Sequence, residues 1–158
     1  RELRDGGYQS ADELMATGCT VHDLKEGGFG ARLLRKGGFS AEVLVAGGFT
    51  AKDLKEGGYS IVDLKNANVT AQQMRAAGVD VRALQGAGFS CLELSNAGFV
   101  PKELYARGYG FSGTELRDVG LSAKVLRGAG LNVHELHAAG FSSEELRAAK
   151  FSCSELKS

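Results

Sequence analysis

Three histidines, three cysteines, a short glycine-rich run and many serines are the residues of this 158-residue chain whose types and spacing could do chemistry. His134 and His137 stand three apart, which on a helix puts both imidazoles on one face, within reach of a shared metal ion. Two ligands do not complete a zinc site; His22 is far along the chain and no cysteine stands nearby, so the pair reads as solvated surface residues. The stretch GYGFSG, Gly108 to Gly113, has the spelling of a dinucleotide-binding loop, which works only between a strand and a helix, and no strand precedes Gly108. Asn68-Val69-Thr70 spells a glycosylation sequon that matters only in an exported chain. Cys19, Cys91 and Cys153 fall at apolar or small-residue positions too far apart along the chain for a disulfide, and their odd number points to reduced thiols and a cytoplasmic setting. The serines have a structural use, set out next, so no Ser-His-Asp nucleophile is invoked. No catalytic residue, cofactor-binding residue or metal ligand is expected, and the chain reads as a protein that is not an enzyme.

What positions all of these residues is a ten-residue word. A leucine column runs in steps of ten from Leu14 to Leu104, with Met74 in one copy, and again from Leu116 to Leu156 after two extra residues near Gly110 and Phe111. Four residues before each leucine stands a helix N-cap type such as Thr20, Ser40, Thr50, Ser60, Asp80, Ser122 or Asn132, with Gly30 and Val100 as departures. Three after the cap comes an acid in most copies, among them Asp23, Asp53, Asp63, Glu93, Glu115 and Glu145, which is capping-box spacing. A bulky apolar residue precedes each cap, as Phe29, Phe39, Phe49, Tyr59, Phe141 and Phe151 do, and stands five before its leucine, where the two form a hydrophobic staple. Four residues after the leucine a glycine, or Asn68, supplies the left-handed residue that ends a helix, and the single proline, Pro101, falls at the first helical position. Each word is therefore one short helix, and the chain reads as about fifteen of them.

Helices of two turns are too short to stand alone and must shelter one another's apolar faces. Stacked in sequence they make an all-α solenoid, a single repeat domain over residues 1–158 that joins its pattern partway through and is expected to be a segment of a longer array. The competing architecture is a pentapeptide-repeat-like β-helix, because phenylalanine and leucine together recur every five residues. Its narrow interior would have to hold Asp12, His22, Arg32, Glu42 and Lys52, and it gives the caps and Pro101 no purpose.

Two features lie on the outside of the stack. Every third word ends its helix differently, at Met15-Ala16, Val45-Ala46, Arg75-Ala76, Tyr105-Ala106 and His137-Ala138, which suggests three helices per superhelical turn, with two or four left open. The ridge Met15, Val45, Arg75, Tyr105 and His137 is the expected partner face. After the leucine runs a basic stripe, Lys25, Arg35, Lys55, Lys65, Arg117, Arg127, Arg147 and Lys157, parallel to the acidic capping column. Acids at helix starts and bases toward helix ends suit the helix dipole, and the stripes could also join molecules side by side.

Nineteen basic and nineteen acidic residues leave no net charge, so no global field favours nucleic acid, and acids beside the basic stripe would repel phosphates. No apolar run approaches the ~18 residues of a membrane span, and no signal peptide opens the chain.

The word AxxLxxAGFS, running through Ser90 to Phe99 and Ser142 to Phe151, resembles the tandem decapeptide arrays of bacterial and protist proteins over nearly the whole chain. The resemblance implies no shared activity, only the use of α-solenoids as scaffolds and binding surfaces. The expected function is a non-catalytic structural or interaction scaffold. It would self-assemble end to end or side by side, or serve as a monomeric module for a protein or peptide. Its partner is itself or another protein, with no membrane; a polyanion or nucleic acid is the least favoured alternative.

Overall fold

The computed structural model describes residues 18–105 and 110–152, together with Glu13, Ala16 and Glu155. Of the positions named above, Asp12, Leu14, Met15, Ala106, Gly108, Cys153, Leu156 and Lys157 lie outside the described residues. Thirteen α-helices follow one another among the described residues: α1 Val21–Glu26, α2 Ala31–Lys36, α3 Ala41–Ala46, α4 Ala51–Glu56, α5 Ile61–Asn66, α6 Ala71–Ala76, α7 Val81–Gly86, α8 Cys91–Asn96, α9 Pro101–Leu104, α10 Gly113–Asp118, α11 Ala123–Ala129, α12 Val133–Ala138 and α13 Ser143–Ala148. No described residue is in a strand, so the fold is the all-α repeat solenoid and not the β-helix. None of these helices is long and apolar enough to cross a membrane.

The joints are as regular as the helices. After α1 the chain passes through Gly27, still right-handed, to Gly28 at φ +84°, and Phe29 N–H then turns back to bond Leu24 C=O at 2.9 Å. Gly28 N–H bonds Lys25 C=O, also at 2.9 Å, completing the two crossed bonds that close a helix end through a left-handed residue. Phe29 closes α1 and, as the next residue is the N-cap Gly30, also opens α2. One aromatic thus serves two helices, which is why the word can be as short as ten residues. Asn68 and Lys150 take the left-handed position at φ +59° and +67°, Asn68 as expected; lysine, with no such preference, must carry the strain.

By contact the chain falls into two compact units, Arg1–Val79 and Asp80–Ser158. In each, the leucine column is the axis of the core: Leu24, Leu34, Leu44, Leu54, Leu64 and Met74 in the first and Leu84, Leu94, Leu104, Leu116, Leu126 and Leu136 in the second are fully buried. The staple aromatics and the small residues that open the helices complete it, and no polar residue is buried among the described residues.

Packing joins words two apart as well as sequence neighbours. Besides sequence neighbours, the most extensive contacts between described helices are two words apart: α2 on α4, α3 on α5 and α4 on α6 in the first unit, α9 on α11, α10 on α12 and α11 on α13 in the second. The cause is visible at the helix ends. A Cβ on Gly57, at the end of α4, would stand 2.8 Å from the Cβ of Ala31 at the start of α2, so these backbones approach as closely as missing side chains allow. Tyr59 shows the same step, its phenol donating to Phe39 C=O two words earlier. Small residues at the two helix ends let words two apart meet.

Candidate functional site

The side chains that recur with the word are the first candidates for a site, and the structure shows what most of them touch. At the helix starts the box is reciprocal: Asp23 N–H donates to Thr20 Oγ1 at 3.2 Å while Thr20 N–H donates to Asp23 Oδ2 at 2.8 Å. The same exchange joins Thr50 to Asp53, Ser60 to Asp63, Ser90 to Glu93, Ser112 to Glu115, Asn132 to Glu135 and Ser142 to Glu145. Val100 has no side-chain acceptor and keeps half of it, its N–H donating to Glu103 at 2.7 Å. Ser122, expected as a capping side chain, makes no cap bond. Its third residue on is Val125, which cannot return the bond, and Ser40, facing Val43 in the same place, reaches only 3.4 Å.

The basic stripe has a use that the sequence reading missed. Lys55 reaches two words on and donates to Ala77 C=O at 3.0 Å and Gly78 C=O at 2.9 Å, covering carbonyls that the end of α6 leaves open. Lys25 does this to Gly48 C=O, Arg117 to Ala139 C=O at 3.4 Å and Arg127 to Ala149 C=O at 2.7 Å. The same cations lie on the next aromatic: Lys25 over Phe49 at 5.4 Å from the ring centre, Arg117 over Phe141 at 5.2 Å and Arg127 over Phe151 at 4.5 Å. Arg35 lies over Tyr59 at 5.6 Å. A cation at a helix C-terminus is favoured by the dipole, and here it also ties one word to another. The signal was present in the sequence, since each of these cations stands at one fixed distance before an aromatic.

These cations also reach the acidic column. Lys25 acts on Asp53, Arg35 on Asp63, Arg117 on Glu145 and Arg127 on Glu155, each cation lowering the pKa of an acid three words on. The two stripes therefore interact within one chain. Lys65 and Arg147 continue the stripe, Lys65 half-buried and Arg147 exposed. Of the ridge, Val45 is half-buried on α3, Arg75 exposed on α6 and His137 exposed on α12. Tyr105 is half-buried, its phenol donating to Glu135 Oε1 at 2.6 Å, which brings it onto α12, three words away. His134 is exposed beside His137, and Cys91 is buried, which pushes its thiol up to about 11, with Glu115 adding to the effect. Cys19 is half-buried.

The capping acids predict an acid response. Hydrogen bonds from Thr20 hold Asp23 below its ordinary 3.8, those from Ser60 do the same for Asp63, and backbone N–H and hydroxyl bonds from Ser142 and Ser152 hold Glu145 and Glu155 below 4.5. At Asp53 burial pushes upward, but the bonds from Thr50 and the charges of Lys25 and Lys52 outweigh it. A carboxyl whose folded pKa is depressed contributes stability that is complete above its unfolded pKa and is lost as pH falls through the folded one. The urea midpoint, flat from pH 7 to about 5, should fall below about pH 4 as the caps protonate. A midpoint unchanged down to pH 3 would show that the caps contribute nothing through charge.

Together the capped helices, the closing turns and the clamps define a tandem-repeat scaffold whose polar chemistry is turned on its own backbone. The chain belongs to the decapeptide repeat family: the family model described as "Decapeptide repeat region" matches residues 1–65, 38–110 and 110–158. No curated protein and no solved structure matches it.

Proposed function

We propose that this chain is a non-catalytic scaffold that assembles end to end with copies of itself. The observation that carries the reading is the repeated contact between words two apart. The ends of α3, α6, α12 and α13 each receive a cation from the word two earlier, which at α3, α12 and α13 also lies on that end's own aromatic, and the α4 word both receives Arg35 on Tyr59 and passes Lys55 onward. A surface built from one such contact is complementary to itself in the head-to-tail sense, which is the geometry that propagates into filaments. Side-by-side joining of the two stripes is the weaker form of the proposal, because the cations already reach carbonyls and acids within the chain. Val45 and Arg75 in the first unit and Tyr105 and His137 in the second, with exposed Ala46, Ala76 and Ala138 beside them, are the residues we assign to lateral contact.

A monomeric module for a protein or peptide is the second reading, favoured by Leu33 and Val43, which are 48% and 42% exposed on neighbouring helices of the first unit. Light scattering over a dilution and salt series separates the two. The scaffold gives particles that grow with concentration, whereas the module stays monomeric throughout, and a monomer at every concentration removes the assembly proposal. Ala46→Glu together with Ala138→Glu places charge on exposed positions of the ridge without touching a core residue. Lateral association should be lost in that variant, and assembly unchanged in extent and form would take the ridge out of the account.

A further inference from the structure

One helix breaks the pattern of charge. α2, with the sequence ARLLRK, carries Arg32, Arg35 and Lys36 and no carboxylate, and it is the only described helix with three cations and no acid. Its N-cap is Gly30, which makes no side-chain cap bond, and Leu33 occupies the place where most other words hold the capping acid. The three cations line one cavity of about 450 Å³, whose other wall is the bare backbone of Gly57 and Gly58 at the end of α4.

What the cations do there differs from the other words. Lys25, Lys55, Arg117 and Arg127 give their hydrogen bonds to carbonyls two words on. Arg35 holds the equivalent position, lies on the Tyr59 ring and acts on Asp63 by charge alone, and neither it nor Arg32 nor Lys36 makes a hydrogen bond or ion pair among the described residues. A Cβ on Gly58 would fall 2.8 Å from Arg35 Nη1, so glycine at φ +86° is what lets the guanidinium lie against the wall. The N–H groups of that wall are engaged, Gly57 with Asp53 C=O at 2.8 Å and Gly58 with Lys55 C=O at 3.0 Å, which leaves recognition to the three side chains. Of the nearby acids, Glu56 lies 4.0 Å from Lys52, Asp63 is bonded to Ser60, and Glu42 and Asp63 line with Arg35 a second cavity that holds neither Arg32 nor Lys36.

We infer that this cavity is a binding site for a small, multiply charged phosphate-type oxyanion. Two guanidinium forks and an ammonium present convergent donors that suit a tetrahedral anion with several acceptor oxygens better than a single carboxylate. The cavity has room for a pyrophosphate group. The site does not depend on the assembly proposed above, because every residue of it lies between Arg32 and Gly58 in the first unit.

Inorganic pyrophosphate titrated calorimetrically into the full chain at low salt tests this. Binding is expected, and Arg32→Gln with Lys36→Gln should weaken it by about tenfold or more, as the loss of charge-assisted bonds does. Both residues are exposed, so an unchanged circular dichroism spectrum is expected to accompany the loss. Lys124→Gln, an exposed cation of α11 in the second unit, removes charge elsewhere and should leave affinity as it was. Absence of binding, or an equal loss in Lys124→Gln, overturns the site. So does attachment to phosphatidylserine vesicles that pyrophosphate fails to compete, since the cluster would then be a patch for an anionic surface.

Discussion

Leu54→Ala is expected to cost ~2–5 kcal/mol, the range for removing a fully buried leucine and leaving a cavity behind. Leu54 has no exposed surface, and its helix α4 touches α2, α3, α5 and α6, so the hole opens where five words meet. The neighbours cannot close over it cheaply. Gly57 at the end of α4 already has the start of α2 at contact distance, and a shift inward would drive that backbone into Ala31. Because a repeat protein is held by contacts between near words, the damage should be local. Hydrogen exchange should show amide protection falling in α2 to α6 while α10 to α13 keep theirs. Met74→Leu, in the same column, conserves volume and should cost less than ~1.5 kcal/mol. A small, uniform loss of protection along the chain after Leu54→Ala would contradict the picture of local contacts.

What was legible in the sequence is what each word does by itself. The leucine, the N-cap, the acid three residues later, the left-handed glycine or Asn68, and Pro101 at the first helical position each act over one turn of chain, so their spacing declares their use. All stand where the spacing put them in the described words, apart from the missing cap bond at Ser122. Which words meet is not a one-word property. The alternation at Val45, Arg75, Tyr105 and His137 suggested a step of three, and three words do separate Tyr105 from the Glu135 it bonds and Lys25 from Asp53. The contacts between words two apart rest instead on residues at the helix ends. Ala31 opens the helix that Gly57 approaches, and Gly113 opens the one that Ala139 approaches with its Cβ 3.0 Å from where a glycine Cβ would stand. Two small residues in register look like mere helix filler until backbone positions are known. The basic stripe was legible as a column, yet its target was not, since a main-chain carbonyl has no letter in the sequence.

The same register makes the second large prediction, and here two physical effects oppose each other. Gly47 ends α3 at φ −79°, a conformation any residue adopts, so alanine there should gain ~0.4–1 kcal/mol by restricting the unfolded chain. Packing says otherwise. A Cβ on Gly47 would fall 2.3 Å from Val21 Cγ1 and 2.7 Å from Val21 Cβ, in the wall of α1 two words back. Val21 is branched at Cβ and 7% exposed, so it has little freedom to turn away, and overpacking of this kind costs ~1–3 kcal/mol. Gly47→Ala should therefore lower the urea midpoint. Val21→Ala in the Gly47→Ala background should then recover part of the loss, with a coupling of ~0.5–3 kcal/mol in the double-mutant cycle. At the neighbouring Gly48 the cost has another origin: only Lys25 Nζ lies within 4 Å, at 3.9 Å, and the penalty comes from φ +87°, so no change at Val21 relieves it. If Gly47→Ala stabilised the chain, or if Val21→Ala rescued both glycine variants alike, the approach of α1 and α3 would not be what holds these words in step.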